Sequence, residues 1–485
     1  MESGQSKSGL AADLQTPCSP TPSESLARSG SSLLRKERVA AYLESIGQEF
    51  LISHLTTLEP PQRENLLNSI RTACWDELQN TYAPPDVIQA CPVEVVTLED
   101  REHLSTEIDR IGHAAYANGE VAALLVAGGQ GSRLGYDHPK GCFPIGPLSG
   151  NSLFQFHCEK ILSVSEETGK PFPLLIMTSP ATDDDTRKFL KEHSYFGLPP
   201  EHVSIFTQGM VPTCDANAQV LLAAPDQILK NPNGHGGCIE ALAESGILER
   251  LSRLGVAEII FIQVDNVLAP VFDPTGVGFR RFRNADTVTK VLLKADPLEK
   301  VGTMLKIGDR DHVIEYSDLP FTLRQPATEQ EHALIAWGRP ALEIYGVEFL
   351  RRFVASGARL PYHLAQKSVS AWTPEGFLER PGIKRERFIF DILPHARNVN
   401  LEVAREREFA PVKNLTGVDS VESAREILSK EYARWLREAG VEVVLEDGAY
   451  LEISPRFAST PEQLKRKIES LPDFPKLVRG NLHLV

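Results

Sequence analysis

The stretch ALLVAGGQGSRLGYDHPKG, residues 123–141, sets an apolar run against five glycines, at 128, 129, 131, 135 and 141, with Arg133 and Lys140 among them. The apolar run reads as a buried strand. Glycines directly after such a strand let backbone N–H groups come close to phosphate oxygens. Loops beyond the carboxyl ends of parallel strands are also where open α/β sheets bind their ligands. Two familiar phosphate loops fail the pattern. A Walker loop needs GxxxxGK[ST], and no Lys-Ser or Lys-Thr follows a glycine here. A dinucleotide loop needs GxGxxG, and counting from Gly129 the last position falls on Leu134.

Working outward, the 485-residue chain carries 51 Lys and Arg against 65 Asp and Glu, a formal charge of −14. That balance argues against a general nucleic-acid or anionic-membrane binder. An acidic protein that handles anions must concentrate its cations locally, which makes Arg133 and Lys140 informative. The seven cysteines form no CxxC pair and no zinc-spaced Cys/His cluster. Scattered thiols suit a reducing compartment. No apolar run has the length of a membrane span, and the N-terminus lacks the apolar core of a signal peptide. The expectation is a soluble, cytoplasmic protein.

Residues 1–31 are Ser/Pro/Gly-rich with little to bury, so a disordered tail is expected there. From Leu33 to Glu77 the spacing turns helical, with Leu34, Val39, Tyr42, Leu43 and Ile46 on one face and Leu66, Leu67 and Ile70 repeating it. A proline-broken linker follows, then another helix at about 100–118. From residue 121, short apolar runs (VAALLVAG, FPLLIMTS, HVSIFTQG, EIIFIQVDN, TVTKVLLK) alternate with helical stretches. That alternation predicts right-handed βαβ units: a Rossmann-like, mixed but mostly parallel sheet flanked by helices. The expected domains are 1–31 (tail), 32–118 (helical), 119–398 (catalytic core) and 399–485 (small α+β addition).

The loop fits GGxG[ST]RLG followed by PKG, which resembles the signature of sugar nucleotidyltransferases. Further segments follow in order: SYFGLPPEHVSIFTQGMVP, PNGHGGCIEAL, IIFIQVDN, VGTMLK, VIEYSDL, GIKRERFIFDIL, EFAPVKN and LEISP. Over about residues 100–455 this ordered set resembles the eukaryotic-type UDP-sugar pyrophosphorylase family, and within it the enzymes for UDP-N-acetylglucosamine. The resemblance implies a UTP:sugar-1-phosphate uridylyltransferase that uses Mg²⁺. Its substrates would be UTP and a hexose 1-phosphate, with N-acetylglucosamine 1-phosphate as the expected acceptor. The acceptor phosphate would attack the α-phosphorus in line and release pyrophosphate.

Carried over residue by residue, the resemblance places Gly128, Gly129, Gly131, Gln208 and Gly234 around the nucleotide. A Gln amide offers both a donor and an acceptor to a uracil edge. Asp265 would hold Mg²⁺, since a hard cation takes carboxylate oxygen and keeps waters, and Asn266 would orient it. Gly302, Glu315 and Tyr316 match sugar-binding positions. Arg133, Lys140, Lys384 and Lys413 match cations that act on the phosphates and carry catalysis.

Two departures bear on the sugar. The family's Asn-Gly-Asn-Gly-Gly turn reads NGHGG, which puts His235 at an Asn position, where it would bind the nucleotide by donating to a phosphate or the uracil, and resembles the UDP-glucose and broad-specificity enzymes. The family's Asn-Ala-Gly-Asn-Ile-Ala-Asn-His reads AWGRPALE at 336–343, which puts Arg339 at a sugar-binding Asn. A guanidinium differs from an amide in charge and reach. Three roles stay open for Arg339: binding the sugar phosphate, selecting another sugar, or pairing with a local carboxylate. Two alternatives accompany the main reading, a UDP-glucose or broad UDP-sugar pyrophosphorylase and a non-catalytic nucleotide-sugar-binding homologue.

Overall fold

A computed structural model describes residues 32–485 apart from 74 and 76–79; the side chains of 32–37, 102 and 105 are likewise outside the description. The tail expected at 1–31 lies outside the described residues, as does the Leu34 side chain. The chain forms two compact units. One joins the N-terminal helices Ser32–Ser45, Glu49–Thr57 and Pro60–Arg71 with residues 211–231 and 366–384. The other holds residues 78–210, 232–365 and 385–485.

The larger unit is built on an 11-stranded sheet. Its strands are β1 (Val121–Val126), β2 (Leu174–Thr178), β3 (Val203–Thr207), β4 (Glu258–Gln263), β5 (Thr287–Leu293), β6 (Gly302–Ile307), β7 (Arg310–Ile314), β8 (Trp337–Arg339), β9 (Leu342–Gly346) and β10 (Asn398–Glu402), with the short strand Val95–Val96 beside β10. Strands β4, β1, β2 and β3 lie side by side and parallel. Strand β9 joins β4 to β5 antiparallel, β10 runs parallel to β5, and β8, β6 and β7 continue antiparallel. All five strands expected from the apolar runs are present, and the sheet is parallel where the glycine loop leaves it.

Burial explains why those strands read as continuous apolar runs rather than as alternation. Ala123, Leu125, Leu174, Ile176, Ile260 and Ile262 pack into one core, while Ala122, Leu124, Leu175, Met177, Ile259 and Phe261 pack into another on the opposite face. Both faces are covered, as a parallel sheet requires. The first face is covered in part by α1 (Leu98–Asn118), α2 (Leu153–Thr168), α3 (Pro274–Phe282) and α5 (Val421–Glu438); the second by α4 (Val347–Ala355) and the helices Cys238–Glu244 and Ile247–Arg253. Gly246, in the left-handed region (φ 71°), separates these last two helices.

Local signals set the boundaries. Thr97 and Asp100 form a reciprocal capping box at the start of α1, and Gly119 ends it in the left-handed conformation. Asp273 caps α3 ahead of Pro274. Glu258 at the start of β4 is fully buried and held by Arg280 and Arg281 of α3, which anchors the strand whose far end carries Asp265. In the C-terminal region, short strands form at Glu442–Val444 and Leu451–Ile453, each paired parallel with a strand from the final residues. Among the described residues no helix is long and apolar enough to cross a membrane, and Cys91, Cys142, Cys158 and Cys238 are free thiols.

Candidate active site

The parallel order β4-β1-β2-β3 brings four carboxyl ends together. Strand β1 delivers the glycine loop, β2 ends at Ser179, β3 leads to Gln208, and β4 leads to Asp265. The Ser179 hydroxyl donates to the Gly128 carbonyl at 2.9 Å, and the Gln208 N–H donates to the Thr178 carbonyl at 2.9 Å. Gly128 has no room for a side chain: a Cβ there would lie 2.4 Å from Gln208 Nε2. The Gln208 Oε1 is buried and takes no protein donor in the structure. Gly129 is exposed, with no atom within 4 Å of the position its Cβ would take, so its face is open to a ligand. The loop then folds back on itself. The Gly131 N–H donates to the His138 carbonyl at 2.9 Å and the Lys140 N–H to the Gly129 carbonyl at 3.0 Å.

That return sets Lys140 against β4. Its Nζ lies 2.8 Å from Asp265 Oδ2, both side chains being largely buried. The two residues are 125 positions apart and meet because β1 and β4 are parallel neighbours. Asn266 works on the backbone. Its Nδ2 donates to the Glu408 carbonyl at 2.7 Å, and its Oδ1 accepts from the Ala410 N–H at 2.9 Å. The Val412 N–H donates to the Asp265 carbonyl at 3.0 Å. Residues 408–412 are thereby clipped to the end of β4, and this clip presents Lys413. Its ammonium lies 3.5 Å from Asp419 and 5.6 Å from the centre of the Phe409 ring.

A cavity of about 180 Å³ gathers His235, Asp265, Asn266, Gly302, Glu315, Arg339 and Lys413 in its lining, together with Gln263, Lys300 and Phe390. Gly302 opens β6, Glu315 follows β7, and Arg339 ends β8, so the antiparallel half of the sheet brings these three expected sugar-binding positions to one cavity. Burial raises the Glu315 carboxyl, and Arg339 and His363 act against that rise. His235 stacks on Phe388 at 5.3 Å, and its Nδ1 accepts from the Ile389 N–H at 3.2 Å. Burial, with the nearby charge of Arg339, pushes its pKa down to about 3. The imidazole is neutral at pH 7 and carries its proton on Nε2. Gly234 just before it has φ 87°, and a Cβ there would lie 2.4 Å from the Arg387 carbonyl oxygen. Both facts demand glycine.

Other expected residues lie apart from this lining. Arg133 is exposed on the short turn Ser132–Leu134 of the glycine loop. Tyr316 is half-buried under the Arg324 guanidinium, 5.4 Å from its ring. Lys384 sits in the strand Gly376–Glu386, among the residues of the other compact unit. Of the three roles left open for Arg339, the structure shows the carboxylate partner: its Nε contacts Glu343 of β9. Its guanidinium also lies 5.1 Å from the centre of the Phe390 ring. Sequence reasoning missed Lys300, Phe390 and Glu343. The signals were present: Lys300 stands two residues before Gly302, Phe390 lies inside a quoted segment, and Glu343 puts a charge into an otherwise apolar strand.

Among the described residues there is no group of three or more His, Cys, Asp or Glu side chains able to hold a metal. Asp265 offers a single carboxylate. That set fits a cation such as Mg²⁺ when phosphates and water supply most of its oxygens, and it does not fit an all-protein cage.

Comparison with known proteins agrees with this geometry. A family model described as UTP–glucose-1-phosphate uridylyltransferase matches residues 79–478. The chain is 36% identical over 431 residues to UDP-N-acetylglucosamine diphosphorylase 2 of Arabidopsis thaliana, covering 82% of this chain and 84% of that protein. It is 32% identical over 439 residues to the UDP-N-acetylglucosamine pyrophosphorylase of Saccharomyces cerevisiae, covering 86% and 91%. It superposes on the uridine diphosphate N-acetylglucosamine pyrophosphorylase from Trypanosoma brucei, solved with an inhibitor, with a TM-score of 0.76 and 25% identity, covering 93% and 98%. The chain belongs to the UTP–glucose-1-phosphate uridylyltransferase family.

Proposed function

We propose that this uridylyltransferase moves the uridylyl group of UTP onto the phosphate of N-acetylglucosamine 1-phosphate and releases pyrophosphate. The observation that carries the reading is the Lys140–Asp265 pair, held at 2.8 Å where the glycine loop meets the end of β4. A cation and a carboxylate in that place are what a triphosphate and its metal need. The names of the Arabidopsis and yeast relatives support the acetylglucosamine acceptor.

No side-chain nucleophile is needed, because the acceptor phosphate is already ionised; the protein positions the reactants and neutralises charge. Asp265 would hold Mg²⁺, which would neutralise charge on the phosphates. Lys140 engages only Oδ2 of Asp265, which leaves Oδ1 for the cation. Lys140 neutralises the triphosphate and, with Arg133, stabilises the departing pyrophosphate. Gln208, with its unspent acceptor beside Gly128, reads the uracil. Asn266 holds segment 408–412 so that Lys413 reaches the phosphates at the reacting centre. Gly302 and Glu315 face the sugar. His235, fixed as a neutral donor, contributes a hydrogen bond and no charge. Lys384 would act on the acceptor phosphate, as the resemblance implies.

A second acceptor, glucose 1-phosphate, is favoured by His235 in the NGHGG turn. Purified protein with UTP, Mg²⁺ and a panel of hexose 1-phosphates separates the two through pyrophosphate release. The proposal expects the highest kcat/KM with N-acetylglucosamine 1-phosphate. Release with glucose 1-phosphate alone replaces it by the second reading, and no release with any sugar refutes both.

A further inference from the structure

Arg339 and Glu343 bring two opposite charges into the interior together, with side chains 5% and 1% exposed. Taking two charges out of water is expensive, and an apolar pair of the same volume serves a sheet core at least as well. Packing alone therefore does not account for them. Glu343 sits in β9 between Phe261 of β4 and Thr289 of β5, a position with no access to solvent. Its carboxylate contacts the Nε edge of Arg339, and Phe390 lies against the guanidinium at 5.1 Å. Both Nε and Nη2 of Arg339 are buried and make no hydrogen bond in the structure, so the guanidinium keeps donor capacity beyond its ion-pair contact. Arg339, Phe390, Glu315 and Gly302 line the same cavity.

Charge decides what this arrangement admits. Arginine keeps its proton under all ordinary conditions; burial raises the Glu343 carboxyl and the contacting guanidinium opposes that rise, so the pair favours the carboxylate that cancels the arginine's charge. Glu315 and Asp391 also feel its field. The remaining cations in the lining are Lys300, which is exposed, and Lys413, whose side chain is 36% exposed. Water and salt screen exposed cations far more than buried ones. The buried end of the pocket thus presents a donor without net positive charge. Hydroxyl and acyl oxygens of a neutral sugar suit that donor, whereas a sugar carboxylate would meet carboxylates with nothing left to balance it.

We propose that Arg339 and Glu343 act as one specificity element, in which Glu343 orients the guanidinium and cancels its charge so that neutral sugars enter and uronic acids are rejected. The proposal rests on the uridylyltransferase reading. Its test is binding of two products, UDP-N-acetylglucosamine and UDP-glucuronic acid, measured by titration calorimetry on one preparation. The ratio of the two Kd values is independent of how much of the sample is folded. Wild type should favour the neutral product at least about tenfold. Glu343→Gln, which unmasks the arginine, should narrow that ratio at least about tenfold. Arg339→Asn with Glu343→Gln removes both charges, avoids a lone buried one, and should restore the ratio to within about threefold of wild type. An unchanged ratio in Glu343→Gln, or equal narrowing in the double variant, overturns the proposal. Absence of pyrophosphate release from UTP would overturn the activity reading separately, since the binding ratio needs no turnover.

Discussion

Replacing Lys140 by alanine separates what the lysine does for the fold from what it does for the reaction. Its Nζ lies 2.8 Å from Asp265 Oδ2, with the side chains 17% and 10% exposed. At an effective dielectric of about 20, the gross Coulomb attraction at that distance is about 6 kcal/mol. Desolvation and side-chain ordering offset most of this. Lys140→Ala should therefore cost about 1–2 kcal/mol of stability, a shift of at most a few degrees in Tm. The kinetic loss should be larger. A cation that meets charge developing on a leaving group is worth about 10²- to 10³-fold in kcat, or roughly 2.7–4 kcal/mol. Initial rates of pyrophosphate release at saturating UTP give kcat, and thermal melts on the same samples give Tm. Lys140→Arg keeps the charge and should lose less than Lys140→Ala. Turnover of Lys140→Ala within about threefold of wild type would refute the assigned role, and so would a loss of turnover explained entirely by unfolding.

Gly128→Ala drives a methyl group against the Gln208 amide, 2.4 Å away, and should raise KM for UTP by about tenfold or more. Gly129→Ala meets nothing within 4 Å, so it should leave the unfolding free energy within about 1 kcal/mol of wild type while still raising KM for UTP, which marks that face as the ligand's. Asn266→Ala removes two hydrogen bonds that hold segment 408–412, costs about 2–3 kcal/mol in a denaturant melt, and lowers kcat/KM through misplaced Lys413. Burial pushes both His157 and His235 down to about pH 3, well below the ordinary value of 6.5. The unfolded chain then binds more protons than the native one between about pH 3 and 6.5, so stability rises with pH across that window and is lost as the pH falls. At pH 5.5 each histidine should cost about 1 kcal/mol relative to neutrality, and His235→Asn should flatten the acid limb measured by denaturant melts.

Strand positions were legible because apolar runs such as ALLVA and EIIFIQ are buried on both faces, leaving a signal that needs no alternation. The glycine loop was legible because its alternatives could be excluded by spacing alone. The pairing of Lys140 with Asp265 was not, since it depends on β1 and β4 being neighbours and no local pattern encodes strand order. Arg339 shows the same boundary from another side. Its departure from the family segment was visible and its partner Glu343 stands four residues on in that segment, whereas its aromatic support Phe390 comes from a distant one. Lys384 and Phe390 lie in one quoted segment, yet the two compact units divide between Lys384 and Arg385, a boundary that no local pattern marks. His235 was read as a binding residue without its charge state, which burial beside Phe388 and Arg339 determines.

Labelled UTP tests the central claim most directly. With N-acetylglucosamine 1-phosphate as acceptor and Mg²⁺ present, phosphorus label at the α position should appear in the UDP-sugar, and label at the γ position should appear only in pyrophosphate. Label from the γ position on the sugar would mean phosphoryl rather than uridylyl transfer and would contradict the account. So would α label that stays in UTP with every sugar 1-phosphate supplied.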